Sequence, residues 1–263
     1  MKLGELLGVG KTASVYRWGT SEAIKIFHDS MDDEFEACKE ALRAEFVDSL
    51  SIRAPRFSGC IMYEGKTCLI YEAVEGPTML SQIKASIPSV SYYAQLMADL
   101  QSELHRVRVE EAGNLKLELS TRINCIKEIA EADKHRINGI LASLPEGSAI
   151  CHYDFHPGNI ILSPHGPVII DWMNVLIGCA AADAARTSMM IQSHSMPPQA
   201  PSWLTNREMR ELFHKVYITT YKERSGFNQD DLEEWMLPTL AARINELDGA
   251  ERAEIINKLI GKL

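Results

Sequence analysis

The chain has 263 residues, 46% hydrophobic and 24% charged, with a net charge of -9. That is the balance of an ordinary soluble globular protein, long enough for one large domain or two lobes with real cores. It excludes the basic face of a nucleic-acid binder. No apolar run approaches the roughly 20 residues of a membrane helix, so no membrane association is expected. The start of the chain lacks the apolar core of a signal peptide. Six cysteines, at positions 38, 60, 68, 125, 151 and 179, include no Cys-x-x-Cys pair, which speaks against a zinc or thioredoxin-like site and for a reducing, cytoplasmic compartment.

Residues 3–27 read as three short strands. The third, from Glu22 to Phe27, places Ala23 and Lys25 on one face and Ile24 and Ile26 on the other. A lysine inside an apolar strand is costly without partners; it either turns to solvent at an edge or bridges phosphates. Gly8-Val9-Gly10-Lys11-Thr12 ends like a P-loop, but position 5 carries Glu5 where that signature needs glycine, and residues 13–18 look extended rather than helical. Residues 32–50 alternate charged and apolar side chains at helical spacing, with Asp32 or Asp33 as cap. Residues 55–72 read as strands around Glu64-Gly65-Lys66, and Gly76-Pro77 punctuates the chain.

From residue 78 the spacing turns helical, over 78–86, 92–109, 117–144, 183–194, 207–225, 230–247 and 251–263. The 117–144 pattern reads as one long helix or two. Residues 195–203, rich in proline, form a stiff loop that either walls a pocket or merely connects helices. The acidic run Asp230, Asp231, Glu233, Glu234 suits a helix start.

The densest chemistry lies between Cys151 and Val175. Ile160 to Leu162 and Val168 to Ile170 are short branched runs around a Ser163-Pro164-His165-Gly166 turn, the pattern of a hairpin. Such a hairpin carries Asn159 and Asp171 to the same end, with Asp154 on the loop leading in. Two hard oxygen donors beside a carboxylate suit a magnesium site next to a general base, as phosphoryl transfer requires. His152, Asp154 and His156 as a transition-metal cluster lack a fourth ligand at zinc spacing.

His152-x-Asp154-x-x-x-x-Asn159 followed by Asp171-Trp172 resembles the aminoglycoside phosphotransferase and choline kinase group, small-molecule kinases with a protein-kinase-like fold. The resemblance implies an α+β, two-lobed architecture: a small antiparallel sheet with one helix over 1–72, a hinge at 73–77, and a mainly helical lobe over 78–263. It implies ATP and Mg2+ as cofactors and a hydroxyl of a small molecule, such as an aminoglycoside, choline or thiamine, as acceptor. By the same resemblance Asp154 is the catalytic base, and Asn159 and Asp171 hold the metal. Lys25 contacts the phosphates and is fixed by Glu40. Gly8, Gly10, Thr12 and Ser14 form the nucleotide-covering turn, with Ala13 where protein kinases carry a third glycine. Tyr71 borders the adenine, and the backbone of Glu72 and Val74 pairs with it. Asp183 is implied to be a structural cap. Tyr153 stands where protein kinases carry arginine, Trp172-Met173 replaces Phe-Gly, and there is no later Ala-Pro-Glu segment. The alternatives are an atypical protein kinase, which phosphate transfer to a protein rather than to metabolites would favour, and a non-catalytic nucleotide-binding module, which the full set of polar site residues opposes.

Overall fold

The computed structural model describes residues 2–10, 12–28, 33–110, 113–193 and 200–261. Strands β1 (Leu3–Val9), β2 (Ala13–Trp18) and β3 (Glu22–Phe27) open the chain, then α1 (Asp33–Asp48), β4 (Phe57–Tyr63) and β5 (Lys66–Glu72). Helices α2 (Met79–Gln82), α3 (Ile87–Leu104), α4 (Leu115–Asn124) and α5 (Glu131–Ser143) succeed them. Four short strands come next: β6 (Ala149–Cys151), β7 (Ile160–Ser163), β8 (Gly166–Ile169) and β9 (Leu176–Gly178). The chain closes with α6 (Ala180–Gln192), α7 (Ser202–Thr205), α8 (Arg207–Ser225), α9 (Gln229–Arg243) and α10 (Gly249–Ile260). Lys11, Asp32, His194 and residues 195–199 lie outside the described residues.

Contacts divide the chain into two compact units. Met1–Gln82 and Gly158–Asn174 form the first; Ile83–Pro157 and Val175–Leu263 form the second.

In the first unit five antiparallel strands run in the order β1-β2-β3-β5-β4. The period-two alternation sorts its side chains onto two faces. Ala13, Phe27 and Leu69 pack with Ala37 and Ala41 of α1, while Trp18, Ile24, Cys68 and Ile70 form a second cluster. Alanines let α1 approach closely, and each large apolar side chain buried in these clusters contributes roughly 1.5–3 kcal/mol. The β7–β8 hairpin has the register Ile160↔Ile169 and Ser163↔Gly166. It is tied into this unit by the Ile169 N–H donating to the Arg53 carbonyl at 2.7 Å and the Leu162 N–H to the Pro77 carbonyl at 2.9 Å. Gly76 permits the second tie. Its φ is 138°, and a Cβ there would stand 2.4 Å from the Leu162 carbonyl oxygen.

In the second unit α6 is alanine-rich and almost wholly buried: Ala180, Ala181, Ala182, Ala184 and Ala185 all face its core, so α8, α9 and β6 can crowd around it. The helix α3 begins at Ile87, five residues before the spacing predicts, because Pro88 sits in its first turn, where the missing N–H costs nothing. The 117–144 pattern resolves into α4 and α5. Strands β6 and β9 pair Ile150 with Ile177; the sequence does not predict them, since three residues buried on both faces show no alternation. Asp231 completes a capping box with Asn228 at the start of α9, and Asp230 lies in the same first turn, so the run opens a helix as its composition suggests.

Candidate active site

Lys25 points into the first unit's interior from the centre of β3. Its Nζ lies 2.7 and 2.8 Å from the two Glu40 carboxylate oxygens and 3.4 Å from Asp171 Oδ1. Glu40, on the second turn of α1, is 4% exposed. Burial opposes charge on Lys25, but Glu40 first and Asp171 next outweigh it and hold the ammonium above its ordinary pKa. The Tyr71 hydroxyl, on β5, donates to Glu40 Oε1 at 3.0 Å. Burial and the neighbouring Glu40 push that phenol far up, so it remains a donor. Its ring packs against Phe57 with centroids 5.2 Å apart. Lys25, Glu40, Tyr71 and Asp171 thus form one bonded cluster, in which only Asp171 is substantially exposed.

Asp171 comes after β8 and takes φ 63°, a left-handed conformation that costs energy in any residue but glycine and is best tolerated by Asp and Asn. The turn it makes leads into Trp172–Asn174, which is pinned twice: Trp172 Nε1 donates to the Ile169 carbonyl at 2.8 Å, and Arg43 of α1 donates to the Met173 carbonyl. Asn159 stands at the matching end of β7, and its carbonyl accepts the Ile170 N–H at 2.9 Å. The hairpin therefore brings Asn159 and Asp171 to one end. An amide oxygen and a carboxylate are the hard donors magnesium takes, so the residue types fit that ion.

The β1–β2 hairpin carries the four remaining residues expected near phosphate: Gly8 in β1, Gly10 and Thr12 between the strands, and Ser14 in β2. Gly10 N–H donates to the Ala13 carbonyl at 2.8 Å, and the Thr12 carbonyl accepts the His28 N–H at 2.8 Å. Ser14 Oγ lies 3.0 Å from His28 Nε2. A Cβ on Gly8 would meet nothing within 4 Å, leaving the backbone open to a ligand. Ala13, where protein kinases have glycine, is a core residue at 2% exposure. At the end of β5 the Glu72 N–H bonds the Arg56 carbonyl and the Ala73 N–H bonds the Ser21 carbonyl. The Val74 N–H has no partner among the described residues.

Asp154 belongs to the second unit, on the loop after β6. Its N–H donates to His152 Nδ1 at 3.2 Å, and its Oδ2 lies 3.7 Å from His156 Nε2. Burial alone would raise its pKa; His156, then Arg186 and His152, outweigh burial and hold the carboxyl well below its usual range. The loop is fastened by Asp183 of α6, which is fully buried. Asp183 Oδ1 accepts the Tyr153 N–H at 2.7 Å, and Oδ2 accepts the His152 N–H at 3.2 Å. Gln101 Nε2, on α3, and His105 Nε2, one turn on at its C-terminal cap, also reach Oδ2 at 3.1 and 2.9 Å. Asp183 is structural, as the resemblance implies, but it caps no helix: its partners are the Asp154 loop and α3.

The model of the phosphotransferase enzyme family, abbreviated APH, matches residues 14–215. The chain belongs to the phosphotransferase enzyme family. Solved structures with the same fold include an aminoglycoside-3'-phosphotransferase of type VIII, 17% identical, with TM-score 0.60 over 90% of this chain and 93% of that one. The streptomycin-ATP-APH(2")-IIa ternary complex is 13% identical, with TM-score 0.55 over 99% and 91%. The macrolide 2'-phosphotransferase MphH from Brachybacterium faecium is 16% identical, with TM-score 0.54 over 98% and 91%. No curated protein sequence matches the chain. The fold is thus the α+β protein-kinase-like one, and the chain is a kinase-type phosphotransferase.

Family membership makes the residues that sequence reasoning passed over easier to place. Gln101, on α3, and His105, just past its end, sit at i and i+4 on an otherwise apolar face, and Arg186 follows Asp183 at i+3 on α6. Polar pairs at helical spacing inside apolar stripes were the available signal.

Proposed function

We propose that this phosphotransferase moves the γ-phosphate of ATP, with magnesium, to a hydroxyl of a small molecule. The observation that carries the reading is Lys25 Nζ held between Glu40 and Asp171, on a unit whose hairpin also presents Asn159. Lys25 contacts the phosphates, and Glu40 keeps its ammonium extended and charged. Gly8, Gly10, Thr12 and Ser14 lie along the phosphate tail, with backbone amides and hydroxyls as donors. Tyr71 borders the adenine, the unpartnered Val74 N–H is a donor for its edge, and the Glu72 carbonyl is an acceptor. Asn159 and Asp171 are the residues that would hold magnesium, which, when bound, neutralises phosphate charge.

Asp154 is ionised at neutral pH and weakly basic. It accepts the hydrogen bond of the acceptor hydroxyl from the start and its proton late, as the new O–P bond forms and the bond to the leaving diphosphate breaks. The work of the chain is positioning and charge placement. Small-molecule acceptors are supported by the fold neighbours that bind or are named for aminoglycosides and macrolides. A cytoplasmic location is supported by six free cysteines. No helix among the described residues is long and apolar enough to cross a membrane.

The test is a screen of hydroxylated metabolites and antibiotics with γ-labelled ATP, run with magnesium and with chelator. Label should appear on at least one small acceptor and depend on magnesium. Label on a protein substrate alone would overturn the acceptor class.

A further inference from the structure

Arg186, on α6, is 3% exposed. Its Nη2 bonds Glu246 Oε2 at 2.7 Å, and Arg122 of α4 reaches the other Glu246 oxygen. Its Nε and Nη1 are sealed from solvent and have no hydrogen-bond partner among the described residues. Sealed nitrogens have no room for a ligand, so a substrate does not explain them. Beside the guanidinium is an aromatic ring: the Arg186 Cζ lies 4.6 Å from the centre of the Tyr153 ring, with the Arg122 Cζ farther off at 6.0 Å. A guanidinium stacked on a desolvated ring is attracted by its negative face. Tyr153 has the complementary features. It precedes Asp154 and takes φ 62°. Its buried hydroxyl makes no close hydrogen bond among the described residues and faces the Thr239 hydroxyl of α9. The ring is the part that meets Arg186.

We propose that Arg186 is a positioning residue: stacked on the Tyr153 ring, it clamps the strained turn that aims Asp154 and ties that turn, through Glu246 and Arg122, to α4 and the turn that follows α9. Its charge is also one of those that keep Asp154 ionised. A left-handed residue other than glycine persists only where its surroundings hold it. Asp183 grips the backbone of this turn, and Arg186 grips its side chain. The inference rests on Asp154 as the base of the proposed reaction.

Two readouts test it in the full chain: amide exchange of the peptide spanning residues 152–156, and steady-state release of phosphate from magnesium-ATP to water. In Arg186→Met, exchange should speed at least tenfold and kcat fall at least tenfold, with KM for ATP changing less than twofold. Tyr153→Leu should reproduce both effects, Tyr153→Phe should rescue both, and Arg186→Met added to Tyr153→Leu should change little more. Exchange and kcat within twofold of wild type in Arg186→Met would overturn the clamp. So would a Tyr153→Phe variant as impaired as Tyr153→Leu, and this pair decides the matter if Arg186→Met does not fold. Asp154→Ala separates the two readings. It should abolish phosphate release while leaving exchange at 152–156 within twofold; undiminished release removes the base assignment, and exchange in the Arg186 and Tyr153 variants then still judges the clamp.

Discussion

Lys25 and Glu40 form an ion pair nearly sealed from water, with side chains 14% and 5% exposed. Removing one partner from such a pair leaves the other's charge uncompensated, at a cost of about 3 kcal/mol or more. Lys25→Met should therefore destabilise the fold by about 3 kcal/mol as well as raise KM for ATP. Adding Glu40→Gln should recover part of the stability and none of the ATP affinity. Denaturant melts and nucleotide titrations on the two variants separate these effects; equal melts for the single and double variants would contradict the pairing. At Asp183 the question is one of pH. Burial would raise this carboxyl, but His105 first, then His152 and Gln101, outweigh it and hold it below its ordinary value. The unfolded chain thus takes up the proton first. The stability Asp183 supplies is full above the unfolded value of about 3.9, and it is lost as pH falls through the lower folded value. Asp183→Asn should cost about 3 kcal/mol at neutral pH, since its amide turns a donor toward N–H groups, and the gap to wild type should close below about pH 4. A gap that stays constant through that range would contradict the linkage.

Among the elements, Gly76 differs in kind from Gly8 and Gly10. Gly76 is structural: a methyl there would collide with the Leu162 carbonyl at 2.4 Å in a conformation side chains avoid. Gly76→Ala should cost about 2 kcal/mol by loosening the β7–β8 hairpin from this unit. Gly8 and Gly10 have room: nothing stands within 4 Å of a Cβ at Gly8, and at Gly10 the nearest atom is the Ala13 carbonyl oxygen at 3.4 Å. Gly8→Ala and Gly10→Ala should leave stability within about 0.5 kcal/mol of wild type while raising KM for ATP several-fold. Loss of stability without loss of affinity would make the β1–β2 turn a packing feature. The same elements explain what could be read from the chain. The β7–β8 hairpin was legible because branched runs and a turn lie within a dozen residues, so Asn159 and Asp171 could be placed at one end of it by local geometry. Glu40 was not: α1 also carries Glu34, Glu36 and Glu45, spacing alone does not choose among them, and the family resemblance did. Strands β6 and β9 were invisible, being three residues long and buried on both faces. Arg186 and Glu246 are 60 residues apart, a distance at which no sequence pattern links them.

At the scale of the whole molecule, the fold and the reaction class rest on a family match to residues 14–215 and on neighbours that cover nine-tenths or more of the chain. Ligand binding to a folded state stabilises it by mass action, by about 2.7 kcal/mol at a hundred times Kd. Magnesium-ATP should raise the thermal midpoint of the wild type, and Asn159→Ala and Asp171→Ala should lose most of the magnesium-dependent part of that shift. A shift of the same size with chelator present would contradict the metal assignment. The central claim is that one weakly basic carboxylate, strapped by α6, receives the acceptor's proton. The most direct measurement is the rate of labelled phosphate transfer by Asp154→Ala against wild type, on whichever acceptor the screen identifies. The account predicts a fall in kcat of about 10² to 10⁴ with KM for ATP nearly unchanged; a rate within a few-fold of wild type would contradict it.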